Sequence, residues 1–396
     1  MDVKSRREKA AEAFAAKGLP TVREEAWRFM DVSRLNDVAF GGAWQASSLS
    51  FEALSELVVV FENGVWSAEK SSLAGLPEGA TVRSILDCGD ARLGSLADSD
   101  SGFVLANMAQ FSDGVWIDVP AGVSVDQPIH VVHLADAAER AFHYRHLITA
   151  GAGARVSVIE EYVGAAGTRY WTNGVTEVFV ADGAKVDHYK IQCESEVSFH
   201  FQTLESELGS DALFSNHTVT VGGCLGRNDI RGRLLGEESE AICNGLYLLK
   251  DEQLFDTHMF MDHAVPKCQS HELYKGILSD RARGVFCGRI LVREDAQETD
   301  AIQSNGNLLL SRAAKVNTMP QLEIYADDVK CTHGATIGEL DEQALFYLQT
   351  RGVDPTRAHA MLTFAFANEV LDEVACSMVK PRIEALVQTW LAEVTE

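Results

Sequence analysis

The feature that most constrains the fold is a stretch of about 250 residues, from Ile85 to Ile337, made of short runs with alternating apolar and polar side chains. Phe199–Thr203 and Thr218–Val221 are typical of these strand-like runs. This number of strands, with no long stretch of helical periodicity, is larger than an ordinary β-sandwich contains. The pattern therefore predicts a solenoid or a large barrel. No fixed repeat length is visible, so a parallel β-helix is compatible with the pattern without being required by it. Turns are predicted at Gly151–Gly153, Asn173-Gly174, Asp182-Gly183, Gly222-Gly223 and Asn305-Gly306.

The amino-terminal end carries a helical pattern instead. Lys4–Lys17 is rich in alanine and closes at Gly18, which predicts one helix. Thr21, followed three residues later by Glu24, forms a capping-box sequence in front of Trp27. The start of the chain is therefore predicted to be a hairpin of two helices.

Three further helices are predicted after the strand-rich stretch. Asp341 caps the first, Asp354 and Pro355 begin the second, and Pro381 opens the third. The buried faces are predicted to contain Ala358, Met361, Leu362 and Ala365 in the second helix, and Ile383, Leu386, Val387, Trp390 and Leu391 in the third. We therefore divide the chain into a helical region at 1–84, a β-rich core at 85–338 and a helical domain at 339–396.

The 396-residue chain is acidic, with 58 Asp and Glu against 34 Lys and Arg and a net charge of -24. Because a phosphate backbone is bound by clustered Lys and Arg, this charge argues against a nucleic-acid partner. The charged amino terminus lacks the apolar core of a signal peptide, and no apolar run approaches the roughly 20 residues that span a bilayer. We expect a cytoplasmic protein with no membrane contact.

Missing motifs narrow the function further. Eight cysteines without a Cys-x-x-Cys pair argue against a disulfide framework or a closed zinc site. The sequence also lacks the phosphate-binding loop of ATPases, a Gly-x-Gly-x-x-Gly turn, a Gly-x-Ser-x-Gly elbow and a His-Glu-x-x-His helix. We therefore expect a chain that is not itself an enzyme.

Cys331 and His333 are the candidate site residues. They lie in Leu322–Gly338, a predicted strand, where side chains two residues apart share a face and can reach one soft metal or sulfur species. A neutral imidazole is a competent iron ligand, whereas a thiol must first lose its proton to the metal or beside a cation such as Lys330. The alternative is that His333 only satisfies a buried hydrogen bond.

Other candidate ligands are less favoured. His130 and His133, and likewise His143 and His146, are three residues apart, which sends their side chains to opposite faces of a strand. The densest set of potential ligands is Asp256, His258, Asp262, His263, Cys268 and His271. For this set we favour a hydrogen-bonded polar ladder over a metal site. Solvated or ion-paired positions are expected for Arg281, Arg283, Arg289 and Arg293.

Several short segments carry a family resemblance that covers most of the chain and is strongest from Asp256 to Glu373. They are Leu19–Thr21, Glu25–Trp27, Asp31, His271–Leu278, Ala282–Phe286, Ala296–Gln297, Thr299–Ala301, Asn307–Ser311, Lys330–Ala335, Leu345–Leu348 and Arg351–Gly352. Together these segments resemble the SufD family, a scaffold component of the SUF machinery for iron-sulfur cluster assembly.

The resemblance implies a mainly β fold, in which a right-handed parallel β-helix core is flanked by amino- and carboxy-terminal helical domains. It implies a non-catalytic scaffold that pairs with SufB through the β-helix and binds the SufC ATPase through its carboxy-terminal helices. His333 and Cys331 would then lie at the SufB contact and hold a nascent, transient iron-sulfur cluster or its iron. The resemblance implies that His333 is the more important of the two, because the matching histidine of the family lies at that contact. The chain alone is expected to bind no cofactor stably. The resemblance leaves open whether the isolated chain forms a homodimer.

Two other functions remain as alternatives. The paralogue SufB shares the carboxy-terminal signature, although a length near 400 and the segment Lys330–Ala335 favour SufD. A carbohydrate-active enzyme on a β-helix would need clustered carboxylates for acid-base work. Asp327 and Asp328 are adjacent acids, but neighbouring strand residues face opposite sides.

Overall fold

The protein is a parallel β-solenoid of about eight turns with helices at both ends. The computed structural model describes residues 3–36, 40–41, 44–97 and 101–395. The predicted mainly β fold, with a parallel β-helix flanked by helices, is confirmed. Among the helices of these residues, none is both long enough and apolar enough to cross a membrane.

The strands alternate between two sheets as the chain winds. One sheet has ten strands, in the order β19-β17-β15-β13-β11-β9-β7-β5-β1-β2, and the other has nine, in the order β18-β16-β14-β12-β10-β8-β6-β4-β3. Their bounds are β1 Val58–Glu62, β2 Val65–Trp66, β3 Thr81–Ser84, β4 Val115–Val119, β5 Ile129–Ala135, β6 Ala141–Ala150, β7 Arg155–Gly164, β8 Trp171–Val180, β9 Lys185–Cys193, β10 Phe199–Leu208, β11 Leu213–Val221, β12 Leu225–Leu234, β13 Glu240–Leu249, β14 Leu254–His263, β15 Gln269–Leu278, β16 Arg283–Val292, β17 Thr299–Leu309, β18 Lys315–Ile324 and β19 Val329–Gly338.

The repeat length is hidden in the sequence because it varies from turn to turn. Phe199 of β10 lies opposite Leu225 of β12, 26 residues later, whereas Arg283 of β16 lies opposite Lys315 of β18, 32 residues later. Corners of different length absorb the difference, as at the positive-φ residues Gly183 and Gly222. The solenoid alternative left open by the pattern is therefore the correct one.

Two of the predicted turns are wrong. Asn173-Gly174 lies inside β8 and Asn305-Gly306 inside β17. In each case the asparagine amide is used inside the fold, since Asn173 donates to the Phe103 carbonyl at 3.0 Å and Asn305 to the Tyr274 carbonyl at 3.3 Å. Tertiary hydrogen bonds thus override the local turn preference of Asn-Gly.

The α-helices are α1 Val3–Lys17, α2 Gly102–Gln110, α3 Glu342–Thr350, α4 Pro355–Leu371 and α5 Val379–Thr395. The predicted helical hairpin at the start is wrong, because Glu25–Trp27 is a single 3₁₀ turn. The Thr21 amide does donate to the Glu24 side chain at 2.9 Å, as the capping-box sequence predicts. The Trp27 ring, however, stacks on the Phe103 ring with centroids 5.2 Å apart and so holds this part of the chain against the solenoid. The region 1–84 is also less helical than expected, since it contains β1, β2 and β3.

The carboxy-terminal helices cover the ten-stranded sheet. The predicted caps form, with Asp341 accepting from the Gln343 amide at 2.8 Å and Asp354 from the Thr356 amide at 2.9 Å. The predicted buried face of α5 is correct: Ile383, Leu386, Val387, Trp390 and Leu391 are buried against strand residues. The predicted face of α4 is wrong for Met361 and Ala365, which are exposed, because the helix instead buries Ala358, Thr363, Ala367, Val370 and Leu371.

Candidate functional site

The candidate site lies on β19, the last strand of the ten-stranded sheet. Among the described residues, β19 pairs only with β17, and β18 is likewise the last strand of the other sheet. The solenoid therefore ends in an uncovered turn, in which every residue of β19 beyond Cys331 is exposed. A surface of this kind offers unpaired strand edges and interior-facing side chains to a partner.

Cys331 and His333 share one face of β19, as their spacing predicts. Cys331 lies in register with Ala301, and His333 with Gln303. Ala301 and Gln303 are both buried inside the solenoid. Cys331 and His333 therefore lie on the face of β19 that points toward the solenoid interior. Cys331 is half-buried against the solenoid core, whereas His333 is exposed.

Each site residue ends a different interior column of in-register side chains. The column beneath Cys331 is mostly small or apolar and consists of Val156, Val186, Phe214, Ala241, Ser270 and Ala301. The column beneath His333 is mostly polar and consists of Val158, His188, Asn216, Cys243, Glu272 and Gln303. The two candidates therefore have different chemical support despite their common face.

The surroundings of Cys331 disfavour a thiolate. Burial raises the pKa of the Cys331 thiol, with a smaller contribution in the same direction from Asp300 and an opposing one from a backbone hydrogen bond at Ala301. Lys330 lies on the other face, in register with Asp300, and makes no contribution to this shift. The expectation that Lys330 helps to deprotonate Cys331 therefore has no support in the structure.

Gln303 and Glu272 are site neighbours that the sequence did not reveal. The Gln303 Nε2 donates to Glu272 Oε2 at 2.5 Å. Burial raises the pKa of Glu272 to about 8, against the opposing effect of the Gln303 hydrogen bond. An alignment of the solenoid turns would have placed Gln303 and Glu272 beneath His333. The turns differ in length, however, so the sequence shows no fixed repeat from which to make that alignment.

The other histidine pairs are structural. Within each pair the side chains diverge as predicted: His130 contacts Glu161 at 3.0 Å, and His143 contacts Asn173 at 3.1 Å. The second members of the two pairs, His133 on β5 and His146 on β6, contact each other instead, with their Nε2 atoms 3.2 Å apart. Burial lowers the pKa of both of these histidines.

The dense ligand set around β14 is dispersed into separate hydrogen bonds. His258 contacts Asp256 at 3.2 Å, Asp262 pairs with Arg293, His263 contacts Ser270 at 3.0 Å, and Cys268 contacts Ser239 at 3.3 Å. Residues 3–36, 40–41, 44–97 and 101–395 contain no group of three or more His, Cys, Asp or Glu side chains that could hold a metal ion. Arg281 and Arg289 are likewise ion-paired, with Glu252 and Glu323.

A second concentration of titratable groups lies sealed inside the solenoid. Lys190 Nζ is 2.7 Å from His200 Nε2 and 2.6 Å from Asn228 Oδ1. Burial lowers the pKa of Lys190 to about 7. His200 Nδ1 pairs with Glu194 at 2.6 Å, and His188 pairs with Glu160 at 3.2 Å. Because all these side chains are buried, we assign them to the interior packing of the solenoid.

The carboxy-terminal helices present a second exposed surface. α3 buries no residue, and Phe346 and Tyr347 are 68% and 56% exposed. α4 and α5, in contrast, are held to the sheet by a common apolar core and by Arg382, which contacts Glu161 at 2.7 Å. Large exposed aromatic side chains on an otherwise firmly packed domain are typical of a protein-protein contact.

Two family sequence models match nearly the whole chain. The model described as "SufBD protein N-terminal region" matches residues 2–131. The model described as "SUF system FeS cluster assembly, SufBD core domain" matches residues 133–366.

Individual relatives match over a similar extent. The Escherichia coli iron-sulfur cluster assembly protein SufD is 32% identical, over 93% of this chain and 89% of its own. An iron-sulfur cluster assembly SufBD family protein of Synechocystis is 31% identical, over 97% and 90% of the two chains. The chloroplastic protein ABCI7 of Arabidopsis thaliana is 30% identical, over 93% and 82%.

Proposed function

The chain belongs to the SufBD family of iron-sulfur cluster assembly proteins and is of the SufD type, and from this premise we propose that it is the non-catalytic scaffold subunit that pairs with SufB and binds the SufC ATPase. The observation that carries the proposal is the uncovered last turn of the solenoid, where His333 and Cys331 lie on the interior face of β19 and no further strand of the described chain follows. An exposed terminal turn of this kind is suited to pairing with a second solenoid.

The pairing surface combines polar and apolar groups. Beside His333, the last turn exposes Ile337, Ile324 and Tyr325. Apolar and aromatic side chains around a few polar groups are typical of the centre of a protein interface. We propose that SufB covers this turn, and that in the absence of SufB a second copy of the chain can do so.

The nascent cluster is the cargo of this interface. His333 offers an exposed imidazole, and Cys331 offers a thiol whose raised pKa makes it the weaker ligand until a metal displaces its proton. We propose that SufB completes the coordination sphere, so that the cluster is transient and the chain alone holds none stably.

The energy source lies in the partner. We propose that SufC docks on the carboxy-terminal helical domain at 339–396, with Phe346 and Tyr347 of α3 as the central contacts. ATP-driven closure of two SufC subunits would then move the helical ends of SufB and of this chain and alter the shared site. The acidic composition fits a complex without nucleic acid, because a phosphate backbone is bound by clustered Lys and Arg.

Co-expression with SufB and SufC tests the proposal. We expect one complex that contains all three chains, in which SufC hydrolyses ATP faster than SufC alone. A chain that elutes separately from both partners, and leaves the ATP turnover of SufC with SufB unchanged, would overturn the scaffold assignment. Retention of SufB together with loss of SufC in a Phe346→Ala, Tyr347→Ala variant would assign the two surfaces separately.

A further inference from the structure

The side chain directly beneath His333 is held in an unusually defined position. Gln303 is 1% exposed, and its Nε2 donates to Glu272 Oε2 at 2.5 Å. On the opposite wall, Gly288 makes room for this amide, because a Cβ at that position would lie 2.2 Å from Gln303 Nε2. The Gln303 amide is therefore held by its hydrogen bond to Glu272 and packed closely against the backbone of Gly288.

The other end of the same amide is unused. Gln303 Oε1 is buried and has no hydrogen-bond partner in the part of the chain that the structure describes. A buried acceptor left without a donor keeps the full cost of losing its hydration, so a donor at this point would be favoured. His333 is the in-register neighbour on the next strand, roughly 4.8 Å away between backbones.

Imidazole can supply that donor. A neutral ring carries its proton on one nitrogen and leaves the other free to bind a metal. Histidines that bind metals usually donate their remaining N–H to an oxygen acceptor, and this hydrogen bond fixes the tautomer and orients the ring.

We infer that Gln303 is a positioning residue for His333, whose inward ring N–H donates to Gln303 Oε1 so that the other nitrogen is presented, unprotonated, to iron at the interface. Glu272 acts one step further in by holding the amide. The inference rests on the proposed function for the role of the outward nitrogen, whereas the hydrogen bond involves groups of this chain alone and needs only a reorientation of the His333 side chain toward the unpartnered Gln303 Oε1.

The first test uses nitrogen-15 histidine spectra of the full-length chain, with the His333 signals assigned from the spectrum of His333→Ala. We expect one dominant neutral tautomer in the native chain and a mixture of both in Gln303→Leu. Asn305→Leu is the matched control, because Asn305 is a buried amide two residues along β17 that lies opposite Ala335. It should leave the His333 tautomer unchanged.

A rescue variant separates positioning from packing. In the double variant Glu272→Gln, Gln303→Glu, the lower amide can donate to the upper carboxylate, which still has an oxygen that can accept from His333. We expect this variant to restore the single tautomer. A tautomer that is the same in the native chain, Gln303→Leu and the rescue variant would overturn the inference.

The second test measures Co²⁺ binding to the complex with SufB and SufC. The part of the Co²⁺ signal that disappears in the His333→Ala complex should weaken about 10- to 100-fold in affinity in the Gln303→Leu complex. Unchanged affinity in Gln303→Leu would overturn the positioning role. If the His333→Ala complex binds Co²⁺ and builds clusters normally, the proposed function fails instead, and the tautomer experiment still decides the hydrogen bond.

Discussion

Cys331 and His333 share a face of β19, but they rest on different neighbours. Below Cys331 lies Ala301, which offers no polar side chain, and burial raises the pKa of the thiol. Below His333 lies Gln303, and below Gln303 lies Glu272, which together form a polar support. At the scale of single residues, this difference gives a physical reason to rank His333 above Cys331.

Glu272 itself provides a test through the pH dependence of stability. Its pKa is raised by burial from 4.5 to about 8, so the folded chain keeps a proton that the unfolded chain releases. The associated stability is fully present below about pH 4.5 and is lost as the pH rises through about 8. At 1.36 kcal/mol per pH unit between 4.5 and 8, the loss is roughly 5 kcal/mol.

Glu272→Gln removes this loss while keeping an acceptor for Gln303. We therefore expect the variant to be more stable than the native chain at pH 8, with a much smaller difference at pH 5. Urea unfolding midpoints of both proteins at the two pH values provide the measurement. Equal differences at both values would mean that Glu272 does not titrate in this range.

The structural elements show which parts of the fold the sequence could predict. Caps located α3 and α4, and amphipathic spacing located α5 and its buried face, because these signals are local. Spacing was less successful in α4, where Met361 and Ala365 are exposed. The strands of the solenoid were also predicted, but their register was not, since it depends on turns of 26 to 32 residues. The columns below Cys331 and His333 were therefore invisible, although the shared face of the pair followed from spacing alone.

The structure also corrects how the carboxy-terminal domain should be tested. Removal of 341–396 would uncover part of the β-rich body, because α4 and α5 share an apolar core with the ten-stranded sheet. Each large side chain uncovered there would cost about 1.5–3 kcal/mol. Truncation therefore confuses loss of docking with loss of stability, whereas substitutions on α3 do not.

Two variants separate docking from packing in this domain. Phe346→Ala with Tyr347→Ala should weaken SufC binding and leave the melting temperature unchanged, because both side chains are exposed. Trp390→Ala should lower stability by about 3–5 kcal/mol, because Trp390 is buried between α5 and the sheet. Unaltered SufC affinity in the α3 variant would exclude this helix as the docking surface.

On the scale of the whole molecule, the solenoid has one end that nothing in the described chain covers. Ile337 on that end is 49% exposed, and Leu235 at a corner midway along the solenoid is 44% exposed. We expect Ile337→Glu to weaken pairing with SufB, because it would bury a charge in the interface. Leu235→Glu is the control and should pair normally, with both variants melting as the native chain does. Co-elution with SufB provides the readout, and equal retention of both variants would exclude the last turn as the pairing surface.

The most direct test of the account is cluster formation by the assembled complex with SufB and SufC. We compare the native chain, His333→Ala and Cys331→Ala at matched complex yield and melting temperature, using the visible absorbance of the newly formed cluster. The account predicts that His333→Ala assembles normally but forms much less cluster, and that Cys331→Ala has a smaller effect. Full cluster yield from the His333→Ala complex, or a loss that merely follows a lowered melting temperature, would contradict it.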